Sequence, residues 1–353
     1  MSIQGFYNYL MSDENAPVFL DRLDVYQDMD QPLCHYIINS SHNTYLVGRQ
    51  FGGKSSVEMY RRVLLAGCRC IELDCWDGQE DLEPIITHGM ALCTDILFKD
   101  VIEAIAETAF VSSDYPVILS FENHCSKKQQ ERLARHCEKI LGNYLLTKPL
   151  DTYPLQPGVT LPPPNTIKRK ILIKNKRLKP EVEKRQLELL NSGKLNDINE
   201  ANDEQNSVEG EDLDENSIEK KNITAFVEEA HPELNVDGGH EEQKKSTMIL
   251  LKKSNNNGQL SEEEERALLN KYQYTGATTN IHPLLSSIVN YAQPVKFQGF
   301  QHAKQKNIHY HMSSFNENVA LGYLRQDAIE FVKYIKILKT FRFHLNYGNN
   351  FEF

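Results

Sequence analysis

Between residues 27 and 178, short apolar runs alternate with longer stretches in which apolar positions recur every three or four residues. Short runs bounded by turn residues read as strands, and the three-to-four spacing reads as amphipathic helix. The predicted strands are 35–39, 69–76, 84–88, 116–122 and 170–174. The predicted helices are 56–66, 95–108 and 126–141, with Ser126 as an N-cap. Strands that alternate with helices imply a parallel sheet with helices outside it. The pattern stops at about residue 179, and 179–275 is polar, acidic and rich in Asn, Glu and Lys. Such a stretch cannot bury enough apolar surface to fold alone and is read as disordered, apart from a short helix over 181–190. The globular pattern returns over 282–340, with a strand at 310–315 and a helix at 327–339. Two α/β blocks around a disordered insert predict one barrel assembled from two halves.

Charge sharpens this division. The net charge is −10, but residues 197–242 hold 16 acidic side chains against Lys220 and Lys221. That leaves the rest of the chain at about +4, a mildly basic body suited to work near anionic surfaces. A purely solubilising role for the acidic run is an equal alternative. The seven cysteines fall in the first half and form no CxxC pair, so they read as reduced core residues of a cytosolic protein. No signal peptide and no run of 18 apolar residues is present, so no transmembrane segment is expected. No nucleic-acid partner is expected either.

In a parallel α/β barrel, chemistry gathers at the C-terminal strand ends. Those ends carry His42 and Asn43, then Glu72 and Asp74, His88, Glu122, Lys174 with Lys176, and Ser313 with Ser314. Glu72 and Asp74 are two apart on a strand and share a face, while Ile71, Leu73 and Cys75 face the other way. Neighbouring carboxylates repel unless a cation lies between them. Adding Glu122 and the Asn43 amide oxygen makes an all-oxygen set suited to calcium. Salt bridging to Arg69 or a nearby lysine is the alternative. His42 and His88 beside such a site read as an acid–base pair, whereas His35, His124 and His136 lack such company and read as structural. Lys174 and Lys176 share a face and read as phosphate contacts or as a solvated basic strand end.

Five strings then become specific: INSSHNTYLVG (38–48), CRCIELDCWDG (68–78), PIITHG (84–89), YPVILSFENHCS (115–126) and KRKILIKNKRL (168–178). In order and over about 150 residues, they resemble the X half of eukaryotic phosphoinositide-specific phospholipase C. NYAQPVKFQGF (290–300) and HMSSFNENVALGYL (311–324) are similar to the start of its Y half. The wording resembles the beta class, and within it the photoreceptor type. The resemblance implies a distorted (β/α)8 TIM-type barrel split by the acidic linker. It implies the divisions 1–26 (end of an EF-hand-like module), 27–178 (X half), 179–281 (X/Y linker), 282–340 (partial Y half) and 341–353 (divergent tail). It also implies calcium ligands at Asn43, Glu72, Asp74 and Glu122, catalytic histidines at His42 and His88, and inositol-phosphate contacts at Lys174, Lys176 and Ser314.

The implied activity is calcium-dependent hydrolysis of phosphatidylinositol 4,5-bisphosphate to diacylglycerol and inositol 1,4,5-trisphosphate. The expected setting is cytoplasmic, peripheral at the inner face of the plasma membrane. The expected partners are the phosphoinositide lipid and a heterotrimeric G-protein alpha subunit, with an autoinhibitory role for the linker. From Lys333 onward the sequence departs from the family's pattern, and Arg342 does not fall in the motif of its substrate-contacting arginine. An incomplete barrel is therefore expected, and a non-catalytic binding or regulatory fragment is the alternative function.

Overall fold

The computed structural model describes residues 2–12, 25–48, 52–79, 83–89, 93–193, 277–338 and 343–344. The acidic run at 197–242 and most of the 341–353 tail lie outside the described residues.

After a short antiparallel pair, β1 (Leu46–Val47) and β2 (Lys54–Ser55), the centre of the molecule is a parallel trio, β3 (Cys70–Trp76), β6 (Val117–Asn123) and β7 (Ile171–Lys174). All three match predicted strands. Val289 bridges Ile173 in parallel, and the same segment continues into β8 (Gln293–Pro294), which pairs in parallel with β9 (His311–Met312). β10 (Phe315–Asn316) has a parallel partner in β11 (Phe343–His344). The described strands therefore form an open arc of a TIM-type barrel.

Three sequence expectations change. The strand expected at 35–39 is a 3-10 turn over Leu33–His35, followed by a single parallel bridge from Ser40 to Cys70. Ile37 there is fully exposed and has no apolar face to pair. The strand expected at 84–88 is β4 (Ile85–Ile86), which runs antiparallel to the end of β3 and pairs with β5 (Ile96–Leu97). Only residues 77–84 separate it from β3, too few for the dozen-residue crossover that a parallel neighbour needs. The strand expected at 310–315 divides into β9 and β10.

The helices follow their periodicity. After α1 (Ile3–Leu10), α2 (Val57–Leu65) starts at Ser56, whose hydroxyl accepts from the Glu58 N–H. α3 (Phe98–Thr108) and α4 (Lys127–His136) cover the trio from outside. Ser126 occupies the N-cap of α4, but its side chain makes no cap bond; its N–H donates to Asp77 instead. α5 (Pro180–Asn191) matches the short helix expected after the X-like part. The last helix, Glu317–Leu338, breaks at Asp327, whose carboxylate accepts from the Glu330 N–H. The helix expected from residue 327 is thus its second half.

Strand parity sorts the core into two faces. Ile71, Leu73 and Cys75 pack outward against Tyr60 and Leu64 of α2 and Phe98, Ile102 and Ile105 of α3. Facing inward, Cys70, Ile118 and Leu172 form an apolar floor with Leu33, Ile167 and Tyr291. Register then stacks a polar rung, Glu72–Ser120–Lys174, above that floor, and Asp74–Glu122 above the rung. All seven cysteines are free thiols. Burial pushes those of Cys75, Cys125 and Cys137 up, which suits core residues rather than nucleophiles.

Candidate active site

The inward rungs bring three carboxylates together. One oxygen from each of Glu72, Asp74 and Glu122 lies within 4.8 Å of the others. Glu72 is 1% and Asp74 4% exposed. Charged carboxylates so deep need donors or a cation. Glu72 receives the Asn43 N–H at 2.8 Å, and Asp74 receives the Tyr45 hydroxyl at 2.5 Å. Burial, reinforced by Asp74, drives the Tyr45 phenol far above its ordinary range, so it stays a donor. The Tyr60 hydroxyl braces the Glu72 carbonyl at 2.7 Å, and Thr44 accepts the Glu72 N–H.

For Arg69 the salt-bridge alternative fails on geometry. Arg69 donates to the carbonyls of Cys68, Leu64 and Ala109 at 2.6–3.0 Å, at the entry of β3 and away from the inward carboxylates. An all-oxygen set of three acids fits a hard cation such as calcium. Asn43 sits at the same spot, with its side-chain nitrogen 3.4 Å from His88 Nε2. His42 Nε2 lies 3.9 Å from Glu72 Oε2, and its side chain is one-third exposed. Both predicted histidines therefore flank the carboxylates.

Lys174 donates to Ser120 at 3.0 Å, on the rung it shares with Glu72. Lys176 donates to the Ala277 carbonyl at 3.3 Å. Lys174 thus ends the strand next to that of Glu122, and Lys176 lies two residues past it. Ser314 is exposed between β9 and β10, and no hydrogen bond joins it to the carboxylates among the described residues. Sequence reasoning passed over Tyr45 and Ser120, and it set His124 aside as a structural histidine without company, whereas its Nε2 lies 3.2 Å from Glu122 Oε1. Strand parity held a signal for two of them, since Ser120 and His124 flank Glu122 at a spacing of two.

Residues 29–177 match the family model described as "Phosphatidylinositol-specific phospholipase C, X domain". The chain belongs to the phosphoinositide-specific phospholipase C family, and within it to the beta class. It is 61% identical over 337 residues to human 1-phosphatidylinositol 4,5-bisphosphate phosphodiesterase beta-4, covering 95% of this chain and 28% of that protein. It is 60% identical over 337 residues to the Drosophila melanogaster 1-phosphatidylinositol 4,5-bisphosphate phosphodiesterase, covering 95% of this chain and 28% of that one. The crystal structure of S. officinalis PLC21 matches with a TM-score of 0.64 and 39% identity, over 97% of this chain and 34% of that one. The chain thus spans about a third or less of the length of these relatives. No helix among the described residues is long and apolar enough to cross a membrane.

Proposed function

We propose that this chain carries the reaction centre of a calcium-dependent phosphodiesterase that cleaves phosphatidylinositol 4,5-bisphosphate to diacylglycerol and inositol 1,4,5-trisphosphate. The observation behind this reading is the convergence of Glu72, Asp74 and Glu122 within 4.8 Å, with His42 and His88 beside them. Those carboxylates, with Asn43, would hold calcium, which supplies Lewis acidity and neutralises phosphate charge.

The inositol 2-hydroxyl oxygen attacks the phosphorus, and Glu72 or Glu122 accepts its proton. His42 stabilises the developing charge on the phosphoryl oxygens. The bond from phosphorus to the glycerol oxygen breaks, and His88 gives that oxygen its proton. His88, now a base, activates the water that opens the cyclic phosphate. The attacking hydroxyl belongs to the substrate, so no covalent enzyme intermediate forms. Lys174, Lys176 and Ser314 bind the ring phosphates. The protein works from the cytoplasmic side at the membrane surface, under a heterotrimeric G-protein alpha subunit.

The test is calcium-dependent release of inositol phosphates from mixed vesicles, using the chain completed to the length of its relatives. His42→Ala and His88→Ala should each lower the rate by roughly 10²–10⁴-fold. Near-full activity in either variant would remove the role given to that histidine. A second reading, a non-catalytic binding module, draws on the open arc of strands and the exposed Ser314. It expects calcium and lipid binding by the 353-residue chain without turnover.

A further inference from the structure

Glu122 is the most exposed of the three carboxylates, with a side chain 21% exposed. Backbone or side-chain donors hold Glu72 and Asp74 from below. Among the described residues, the hydrogen-bond partner of Glu122 is His124, whose Nε2 lies 3.2 Å from Glu122 Oε1. A carboxylate can only accept, so this nitrogen carries the hydrogen. His124 is two residues past Glu122 and leaves the chain on the same side.

The imidazole is itself fixed. Its side chain is 5% exposed, and its ring lies on the Trp76 indole with centroids 4.1 Å apart and planes 13° from parallel. Trp76 ends the neighbouring strand β3, two residues past Asp74, so it stands to Asp74 as His124 stands to Glu122. The indole is in turn backed by Gly89, where an added Cβ would fall 2.7 Å from Trp76 Cζ2. Gly89, Trp76 and His124 thus form a rigid plate at the mouth of the arc, with one N–H aimed at Glu122.

We propose that His124 is a positioning residue of the cation site: braced on Trp76, it turns the Glu122 carboxylate toward Glu72 and Asp74 before the ion arrives. This rests on the calcium reading above. Without the N–H, repulsion from two buried carboxylates would swing Glu122 outward, because its side chain has room in solvent. Partners that orient metal ligands in this way typically change metal affinity by 10–100-fold.

The experiment separates the hydrogen bond from the packing in the 353-residue chain, with calcium alone as the probe. His124→Phe keeps a ring on Trp76 and loses the donor; His124→Gln keeps an N–H donor and loses the ring. Calorimetric titration should show calcium binding 10–100-fold weaker in His124→Phe and within a few-fold of wild type in His124→Gln. Trp76 is the single tryptophan of the chain. Its emission in the wild type should therefore titrate along the calorimetric isotherm, a readout that needs no variant to fold. Wild-type affinity in His124→Phe, equal losses in both variants, or calcium binding with no change in Trp76 emission would each overturn the inference while leaving the calcium site standing. A wild-type chain that binds no calcium would instead remove the calcium reading itself.

Discussion

Asn43 does two things at one position. Its N–H is hydrogen-bonded to Glu72, and its side chain lies beside His88, with the backbone at a φ of 44°. Asn enters that left-handed region more readily than other residues with a Cβ, for which it costs roughly 1–2 kcal/mol. Asn43→Gly should keep the N–H and the backbone while losing the amide; Asn43→Ala should lose the amide and add strain. Urea unfolding should find the alanine variant about 1 kcal/mol less stable than the glycine variant, with calcium binding weakened equally in both. Equal stabilities would show that the backbone angle is not under constraint. Parity along β3 was enough to pair Glu72 with Asp74 from sequence, and the SHNTY string pointed to His42 and Asn43. It could not reveal that Tyr45 caps Asp74 or that His124 rests on Trp76, because those are facts of distance between separate segments.

At the level of elements, the strong signals were the long ones. β3, β6 and β7 fell where their apolar runs predicted; β3 and β6 carry inward polar groups at a period of two, and β7 ends on an inward lysine. The two-residue strands β4 and β8 give too little pattern to fix direction, and β4 turned out antiparallel. The start of the Y-like block shows an element held by a single buried group. His282 caps the helix Pro283–Ser287, accepting the Leu284 N–H at 3.2 Å on Nδ1. Burial pushes its pKa down to about 4, so the folded protein holds it neutral where an unfolded chain would begin to bind a proton. Stability is then fully present above about pH 6.5 and falls as pH drops toward 4. The loss should approach about 3 kcal/mol at the lower end. Denaturant unfolding at pH 7 and pH 4.5 should show it, and His282→Asn, which can still cap, should remove most of the difference. An unchanged pH dependence in that variant would mean other groups dominate.

Across the whole molecule, the two blocks are joined at a buried knot. Arg177 donates to both oxygens of Glu183 at 2.8–3.0 Å, Glu183 accepts from the Ser286 hydroxyl, and that hydroxyl accepts the Leu178 N–H. The pair's side chains are 15% and 10% exposed. Removing one partner strands the other, which for buried pairs costs about 3–5 kcal/mol. Glu183→Leu should fall near the low end of that range in urea unfolding, and Arg177→Leu with Glu183→Leu together should recover part of the loss. A single variant as stable as wild type would deny the knot its role. The alternation of strands and helices was legible as a barrel in two halves. This joint was not, because it links residues more than a hundred positions apart.

That knot also sets how the interruption between Gly193 and Ala277 can change. Closing a loop in general costs only about 0.6 kcal/mol more for each doubling of its length. Lengthening or rewriting the insert is therefore nearly neutral for the halves it separates, which are clasped by Arg177, Glu183 and Ser286. Evolution can tinker there with new recognition sequences, and the carboxylate site can come under different masters while no residue lining it is altered.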